Sequence, residues 1–560
     1  MSRNSFLIGL IGVVALFWWV AASRYDAAAF GASHDDTLYF TAAKSISEGH
    51  GSRLESVPGE PPQTKYPALY PALLSLAWTI NPEFPSNLEL AWKLNLLFAA
   101  LATLLAAALA RQLGAGRGEA LALAALTGLH PIYIYWADQL VSDLAFMAFG
   151  LGAAVLAERE LRRERPSWIA WTGVVVLLVL ACWTRTLGAA FVAGVAVMAM
   201  LRGSTAKAAA ALAGAAPVAW GLWSAMSGDA QAQDAALALP GFEQNVAYYA
   251  SYIAHWRQSV PDSAVLLAQV KSALTETLKH PAIAVFHLPA VGFTSMPMAL
   301  VSIAISAGVI NGVVARARRN GLHPVHVAAL FYLPIVLLWN YLLMERFWLP
   351  FLPLFFAGAS FELQRIAEMA RASWRKGPAG DRVVVAGFSA ALVALVAFGL
   401  YRGFASKPEM LARSLAARHA LIEPKLEAYQ WLRVHSSPSD TVISYDDGAL
   451  YLYAHRRGMR AFSPLTDSFF AQDESKLERD LDGITDTAAA LGARYWVTAP
   501  DDFEMTHAPE QIRKRMDKEL ATAPVVFAST DGRVRVHDIS AMPWSRAAEL
   551  RSGDTRSGLK

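Results

Sequence analysis

Apolar runs of bilayer length recur from Phe6 to Tyr401, separated by polar breaks. A helix rises about 1.5 Å per residue, so roughly 20 apolar residues cross the hydrocarbon core. About eleven stretches fit that length: near 5–22, 93–111, 119–136, 142–158, 168–184, 186–201, 206–226, 289–314, 323–341, 346–362 and 383–401. Only Thr184-Arg185-Thr186 separates the fifth from the sixth. Residues 70–80 are apolar but too short to span, and read as an interfacial or re-entrant helix.

Four polar regions punctuate this pattern. Two long loops cover 23–92 and 227–288, a connector covers 362–382, and a tail follows Tyr401. Basic residues assign the sides. Arg111, Arg117, Arg159, Arg162, Arg163, Arg165, Arg202, Lys207, Arg316, Arg318, Arg319, Arg365, Arg371, Arg375 and Lys376 all fall on one face if the spans alternate. The opposite short loops carry Arg185 and Arg346. The expected N-terminus is therefore cytoplasmic, and both long loops and the tail are external.

The tail changes character. Thr441-Val442-Ile443-Ser444-Tyr445 and Arg494-Tyr495-Trp496-Val497-Thr498 read as strands, with helices at 448–455 and 477–491 between them. Asp531-Gly532 marks a hairpin between 524–528 and 534–536. This predicts an α/β domain over 402–545, a mostly parallel sheet with an antiparallel edge, and a disordered polar end at 546–560.

Composition agrees with a polytopic helical membrane protein: 55% hydrophobic, 17% charged, and a mean hydropathy of +0.31. A net charge of +3 names no partner, and nothing in the pattern points to nucleic acid. The single cysteine, Cys182, rules out an intrachain disulfide. Phe17-Trp18-Trp19 ahead of Ala21-Ala22 fits an uncleaved anchor better than a cleaved signal. There is no P-loop, no Gly-x-Gly-x-x-Gly after a strand, no zinc spacing and no Gly-x-Ser-x-Gly elbow.

The candidate chemistry sits at the external ends of the spans. Asp35-Asp36, in the first long loop, suits either capping of a following helix or proton abstraction from a hydroxyl. Lys65 in Lys65-Tyr66-Pro67 suits a lipid-linked phosphate, or simply snorkels beside headgroups with Tyr66 as a belt aromatic. Arg185 and Arg346 offer permanent, forked charge for a phosphate, although Glu345 could neutralise Arg346. Asp138 and Asp143 frame a short external turn, where they either cap a span or face an acceptor. With Asp35 and Asp36 they also make a divalent cation conceivable. Tyr248, Tyr252 and Trp256 share a helical face, a packing stripe or a surface for a sugar or prenyl chain.

Taken together these residues resemble the GT-C class of membrane glycosyltransferases, with the nearest likeness to bacterial relatives of lipid A aminoarabinose transferases and protein O-mannosyltransferases. The resemblance rests on Asp35-Asp36-Thr37-Leu38-Tyr39, Tyr66-Pro67-Ala68-Leu69-Tyr70-Pro71, Ser142-Asp143, Thr184-Arg185 and Arg346-Phe347-Trp348-Leu349-Pro350. In the tail it rests on Leu450-Tyr451-Leu452-Tyr453 and Leu491-Gly492-Ala493-Arg494-Tyr495. It implies a transmembrane catalytic domain over 1–401, a polyprenyl-phosphate-sugar donor, and a hydroxyl acceptor on lipid, glycan or protein. It implies inverting transfer with Asp35 as base. The family often has Asp-Glu at this point, so the shorter Asp36 departs from it. Lys65, Arg185 and Arg346 would hold the donor phosphate. Tyr66, Asp138, Asp143 and Tyr252 would meet sugar or acceptor. A transporter or flippase, and a non-catalytic carbohydrate-binding membrane protein, are the competing readings.

Overall fold

A computed structural model describes residues 1–165, 167–227, 249, 256, 260, 263–286, 296–339, 345–376, 382–387, 390, 401, 407–463, 474–504 and 508–544. The first part is helical: α1 (Arg3–Ala22), α2 (His34–Ser47), α3 (Leu69–Ile80), α4 (Leu88–Gln112), α5 (Arg117–Gly128), α6 (Pro131–Ala137), α7 (Asp143–Leu161), α8 (Trp168–Thr184), α9 (Gly188–Leu201) and α10 (Thr205–Ser227). Then come α11 (Ser263–Phe286), α12 (Met296–Asn320), α13 (Pro324–Leu337), a 3-10 helix (Glu345–Phe351) and α14 (Leu352–Lys376).

By length and apolarity, three helical stretches among the described residues can cross a bilayer: Arg3–Ala22, Leu88–Gln112 and Ala299–Asn320. The stretch expected as one span at 119–136 is broken. α5 and α6 meet at 54° and qualify only as a pair. Pro131 explains the break, because it disfavours helical backbone at His130 and donates no hydrogen bond. Leu69–Ile80, Trp168–Thr184, Gly188–Leu201 and Pro324–Leu337 are apolar but shorter. The expected span at 346–362 begins as the 3-10 helix, where Pro350 withholds a donor. α11 lies inside what reads as loop 227–288, and most of the expected span 383–401 falls outside the described residues.

The bundle turns apolar side chains outward, as a lipid solvent requires: Ile8, Ile11, Ile169 and Leu330 are largely exposed. Inside, small residues let backbones approach. A Cβ on Gly312 of α12 would lie 2.0 Å from the Gly358 carbonyl oxygen of α14, so only glycine permits this crossing. Asn95 of α4 donates to the carbonyls of Ala137 (3.0 Å) and Gln139 (2.8 Å) and accepts from Tyr70 (3.1 Å). It thereby fixes the turn between α6 and α7.

Beyond residue 407 lie α15 (Lys407–His435), α16 (Asp447–Ala454), α17 (Glu474–Asp482), α18 (Asp486–Ala490) and α19 (Pro509–Glu519). They flank a five-stranded sheet of β1 (Val442–Ile443), β2 (Gly458–Met459), β3 (Tyr495–Thr498), β4 (Val525–Ala528) and β5 (Arg535–Asp538), in the order β2-β1-β3-β5-β4. β2, β1 and β3 run parallel, β5 pairs antiparallel with β3, and β4 pairs antiparallel with β5. Gly532, at φ +70°, makes the hairpin turn. Tyr429 and Leu432 of α15 bury against Val442, Val497 and Val536 on one face. Leu481, Ile512 and Met516 bury against Ile443 and Trp496 on the other.

This unit packs directly on α2. A Cβ at Gly448 of α16 would meet Thr37 Oγ1 at 2.5 Å, so a side chain there would push the two helices apart.

Candidate active site

α2 starts after Ser33, so Asp35 and Asp36 occupy its first turn, where the helix dipole favours carboxylates. Successive helix positions differ by about 100°, so the two side chains face different surroundings. Tyr66 donates to Asp35 Oδ1 at 2.9 Å, and Arg346 Nη2 donates to Oδ2 at 2.7 Å. Burial alone would raise the Asp35 pKa. The Arg346 charge and both hydrogen bonds outweigh it and hold the carboxyl well below the usual range.

Arg346 comes from the 3-10 helix, with its guanidinium 5.1 Å from the centre of the Trp136 ring. Its ion pair is with Asp35; Glu345 lines a cavity with His130, His280 and Trp348. Arg185, at the end of α8, pairs with Asp143 at the start of α7. Both arginines flank Phe347, Arg185 at 5.3 Å and Arg346 at 5.9 Å from the ring centre. Tyr39 and Ser142 share a hydrogen bond of 2.9 Å that ties α2 to the head of α7.

Asp36 has the opposite character. It is 4% exposed, and its Oδ1 has no hydrogen-bond partner among the described residues. Burial, opposed by Arg418 but reinforced by the Asp35 charge, raises its pKa well above normal. The two neighbouring acids are thus shifted in opposite directions, Asp35 toward the ionised form and Asp36 toward the protonated one. Two carboxyls divided in this way can take different roles in proton transfer.

Lys65 is buried, its ammonium 5.6 Å from the centre of the Tyr66 ring. Burial and the Arg460 charge lower it to about 7, against the pull of Asp35 and Asp447. Asp138 accepts from Arg418 of α15. Burial still pushes Asp138 to about 6. Arg418 therefore acts on both Asp36 and Asp138. Tyr252 lies outside the described residues. Tyr249 is described, and it donates to Asp447 at 2.9 Å.

The structure adds groups that sequence reasoning passed over, all reaching α2 from the tail unit. Arg460 donates to His34 Nε2 at 2.9 Å, and burial, then that charge, lowers His34 to about 3. Asp446 lies 3.8 Å from His34 Nδ1 and accepts from Lys425 at 2.5 Å. Asp447 accepts from Ser56 at 2.8 Å. One signal was available: Asp446-Asp447 at the head of α16 repeats the Asp-Asp at the head of α2. Arg418, Lys425 and Arg460 carry no local pattern.

Three of the four carboxylates considered for a cation are engaged by arginine, and burial raises the proton affinity of the fourth, Asp36. Among the described residues, the three ligand-type groups that lie within 4.8 Å of one another are Glu48, His50 and Glu55, at the far end of α2. There Lys44 Nζ already sits 2.7 Å from both Glu48 oxygens.

No family model matches the chain, and no curated protein matches it. Solved structures do. ArnT from Cupriavidus metallidurans, bound to undecaprenyl phosphate, aligns with a TM-score of 0.52 at 14% identity, over 97% of this chain and 99% of that one. The chain has the GT-C fold. The oligosaccharyltransferase of Archaeoglobus fulgidus, tethered with an acceptor peptide, aligns at 0.55 and 14% identity over 95% of this chain and 74% of that one. AglB from Archaeoglobus fulgidus, in complex with an inhibitory peptide and dolichol phosphate, aligns at 0.52 and 13% identity over 95% and 75%. In this GT-C fold the charged cluster gathers where the heads of α2 and α7, the ends of α6 and α8, the 3-10 helix and the tail unit meet.

Proposed function

We propose that the protein is an inverting glycosyltransferase that moves a sugar from a polyprenyl-phosphate donor to a hydroxyl of a lipid, glycan or protein acceptor. The observation that carries this reading is the ionised Asp35 set among Arg346, Lys65 and, across Phe347, Arg185. The ligands of the solved structures that share the fold, undecaprenyl phosphate and dolichol phosphate, supply the donor class. The reaction takes place at the external face of the plasma membrane, with the tail as an external α/β domain. The basic loops of the opposite face support that orientation.

In the mechanism Asp35 takes the proton of the acceptor hydroxyl. The freed oxygen attacks the anomeric carbon from the side opposite the phosphate. The bond from that carbon to the phosphate oxygen breaks, and the lipid phosphate leaves with its electron pair. Arg346, Lys65 and Arg185 hold the charge that develops there, an arrangement of positioning and electrostatics. In the resting state Arg346 caps Asp35. A bound phosphodiester draws part of that guanidinium away, which raises the proton affinity of Asp35 when a donor is present. Asp36, whose proton affinity burial raises, would donate to the acceptor oxygen and orient it. Tyr66 holds Asp35 in place, while Asp138 and Asp143 fix Arg418 and Arg185.

A pH dependence follows from Lys65. Its cation is present below about pH 7 and is lost above it, while a phosphodiester keeps its single charge throughout. The donor KM is therefore expected to rise with pH through the neutral range, with kcat changing less. A Lys65→Arg variant keeps its charge and should flatten the rise. A donor KM independent of pH from 6 to 9 in the wild type would remove Lys65 from the phosphate site.

The test of function is transfer of radiolabelled sugar from membrane-extracted polyprenyl-phosphate donors by the purified protein, with membrane lipids and glycans as acceptors. Label appearing in an acceptor supports the reading. Label remaining on the donor throughout, with donor binding intact, would turn it toward a binding role.

A further inference from the structure

We propose that a cleft at one end of the tail unit's sheet binds a polyol phosphate at the membrane surface, either a phospholipid headgroup or a soluble glycerol or sugar phosphate. The cleft is separate from the Asp35 cluster, and the inference does not rest on glycosyl transfer.

Its volume is about 250 Å³, and its walls include Thr498, Arg513, Asp517, Arg533 and Arg535. Pockets for drug-sized ligands span about 300–1,000 Å³, so this one suits a single headgroup rather than an oligosaccharide. It opens beyond the end of β3, where the sheet changes from parallel to antiparallel.

Arg513, Arg533 and Arg535 line the cleft with one carboxylate, Asp517, and two of the three are anchored by hydrogen bonds. Arg535 lies on β5 opposite Thr498 and is exposed. Its neighbours Val534 and Val536 take the other face and bury against α15, so the alternation of the strand turns Arg535 toward the cleft. Among the described residues it has no ion pair or side-chain hydrogen bond. Arg513 of α19 donates from Nη1 to the carbonyls of Pro500 (2.7 Å) and Asp502 (3.2 Å), which fixes its fork while its other N–H groups stay available. Arg533 donates from Nε to Asp531 (2.6 Å) and from Nη2 to the Ala420 carbonyl (3.1 Å). Two anchored guanidinium groups and one open one, converging on a headgroup-sized space, match the forked recognition of phosphate oxygens. Asp517 would repel a bare anion at its own wall. It would accept from a hydroxyl beside the phosphate, which is why the ligand is a polyol phosphate rather than phosphate alone.

The level of the cleft is set by α15. Ala420, which Arg533 reaches, lies two residues after Arg418 and one after His419. Arg418 pairs with Asp138 at the head of the bundle, and His419 contacts Asp26 at 2.9 Å, just beyond α1. Two residues advance a helix by about 3 Å. The cleft edge therefore sits at the height where the membrane helices end and headgroup phosphates begin.

The experiment uses the full chain in nanodiscs of neutral phosphatidylcholine, titrated calorimetrically with glycerol 3-phosphate and with inorganic phosphate. Glycerol 3-phosphate is expected to bind more tightly. Arg535→Ala should weaken it about tenfold, the scale of losing one charged hydrogen-bonding partner. Arg413→Ala, which removes the same charge from an exposed residue paired with Glu409, should leave binding unchanged. Thermal melting confirms that both variants are folded. Phosphatidylglycerol added to the disc distinguishes the sources. Competition by it identifies a lipid headgroup, and undiminished glycerol 3-phosphate binding identifies a soluble ligand. Failure of glycerol 3-phosphate to bind in neutral discs, together with no Arg535-dependent effect of phosphatidylglycerol, overturns the proposal. Equal weakening by Arg535→Ala and Arg413→Ala overturns it as well.

Discussion

Asp35→Asn is expected to lower kcat for sugar transfer by roughly 10²–10⁴-fold, the usual worth of a positioned general base. The substitution preserves shape and removes the charge. The acceptor proton then has no carboxylate to go to. Arg346 loses its ion pair with Asp35 and can turn more of its charge to the donor phosphate, so the donor KM should hold steady or fall while kcat collapses. That split separates a lost base from a damaged site, because a misfolded pocket would lose donor binding too. A second signature comes from pH. In the free enzyme Asp35 is ionised far into acid, so it contributes no limb to kcat/KM near neutrality. With donor bound and Arg346 partly withdrawn, its proton affinity rises, and an acid limb should appear in kcat alone. Turnover by Asp35→Asn within tenfold of wild type, from a folded preparation, would move the base elsewhere.

Lys425→Ala should produce the largest loss of stability. Its ammonium is 4% exposed and lies between Asp446 (2.5 Å) and Asp501 (2.6 Å). Burial would lower its pKa, but the two carboxylates outweigh that and raise it well above normal. Removing one partner of a buried ion pair costs about 3–5 kcal/mol, because the charge left behind is neither paired nor hydrated. Here two carboxylates are left. The pH dependence has a definite sign. Burial would raise Asp446, but Lys425, chiefly, pulls its folded pKa below normal. The stability this contributes is present above the unfolded carboxylate range, near pH 4, and is lost as pH falls through the folded value. The gap in melting temperature between wild type and variant should be widest near neutral pH and narrow in acid. Equal melting temperatures at pH 7 would show that the cluster is not load-carrying. Since Asp446 also faces His34, the head of α2 should loosen and transfer should slow in the same variant.

Hydropathy made much of the helical part legible, because lipid exposure demands long apolar runs whatever they pack against. The gap between α8 and α9 falls at Thr184-Arg185-Thr186, where the apolar pattern pauses. What averaging over a span conceals is a local backbone event: Pro131 splits one apolar run into two helices without changing its composition. α11 and α15 were illegible for a different reason. α15 is rich in charge and contains Pro424, while α11 is interrupted by Lys271, Glu276, Lys279 and His280-Pro281, so no long apolar stripe marked either. In the tail the strands and the Asp531-Gly532 turn were readable from β-rich runs bounded by turn residues. At the candidate site, residue type drew attention to Asp35, Lys65, Tyr66, Arg185 and Arg346. Pairing did not follow from type. Asp35 and Arg346 stand 311 positions apart, and Arg346 has a nearer acid in Glu345. Only packing decides between them. Tail residues such as Arg460 enter through tertiary contact alone.

The distance along the chain between those partners also sets a timetable. His34 is made early, and Arg460 follows 426 residues later. At about 5–20 residues per second, synthesis leaves α2 without this partner for roughly 20–85 seconds. Arg418 is almost as late for Asp138, 280 residues behind it. Through that interval the membrane helices can insert before His34 and Asp138 meet these partners. A chain cut short before residue 418 would thus carry α1 to α14 with an unfinished pocket. The pocket around α2 is therefore closed by residues made long after the helix they meet, so its assembly has to wait for the tail unit.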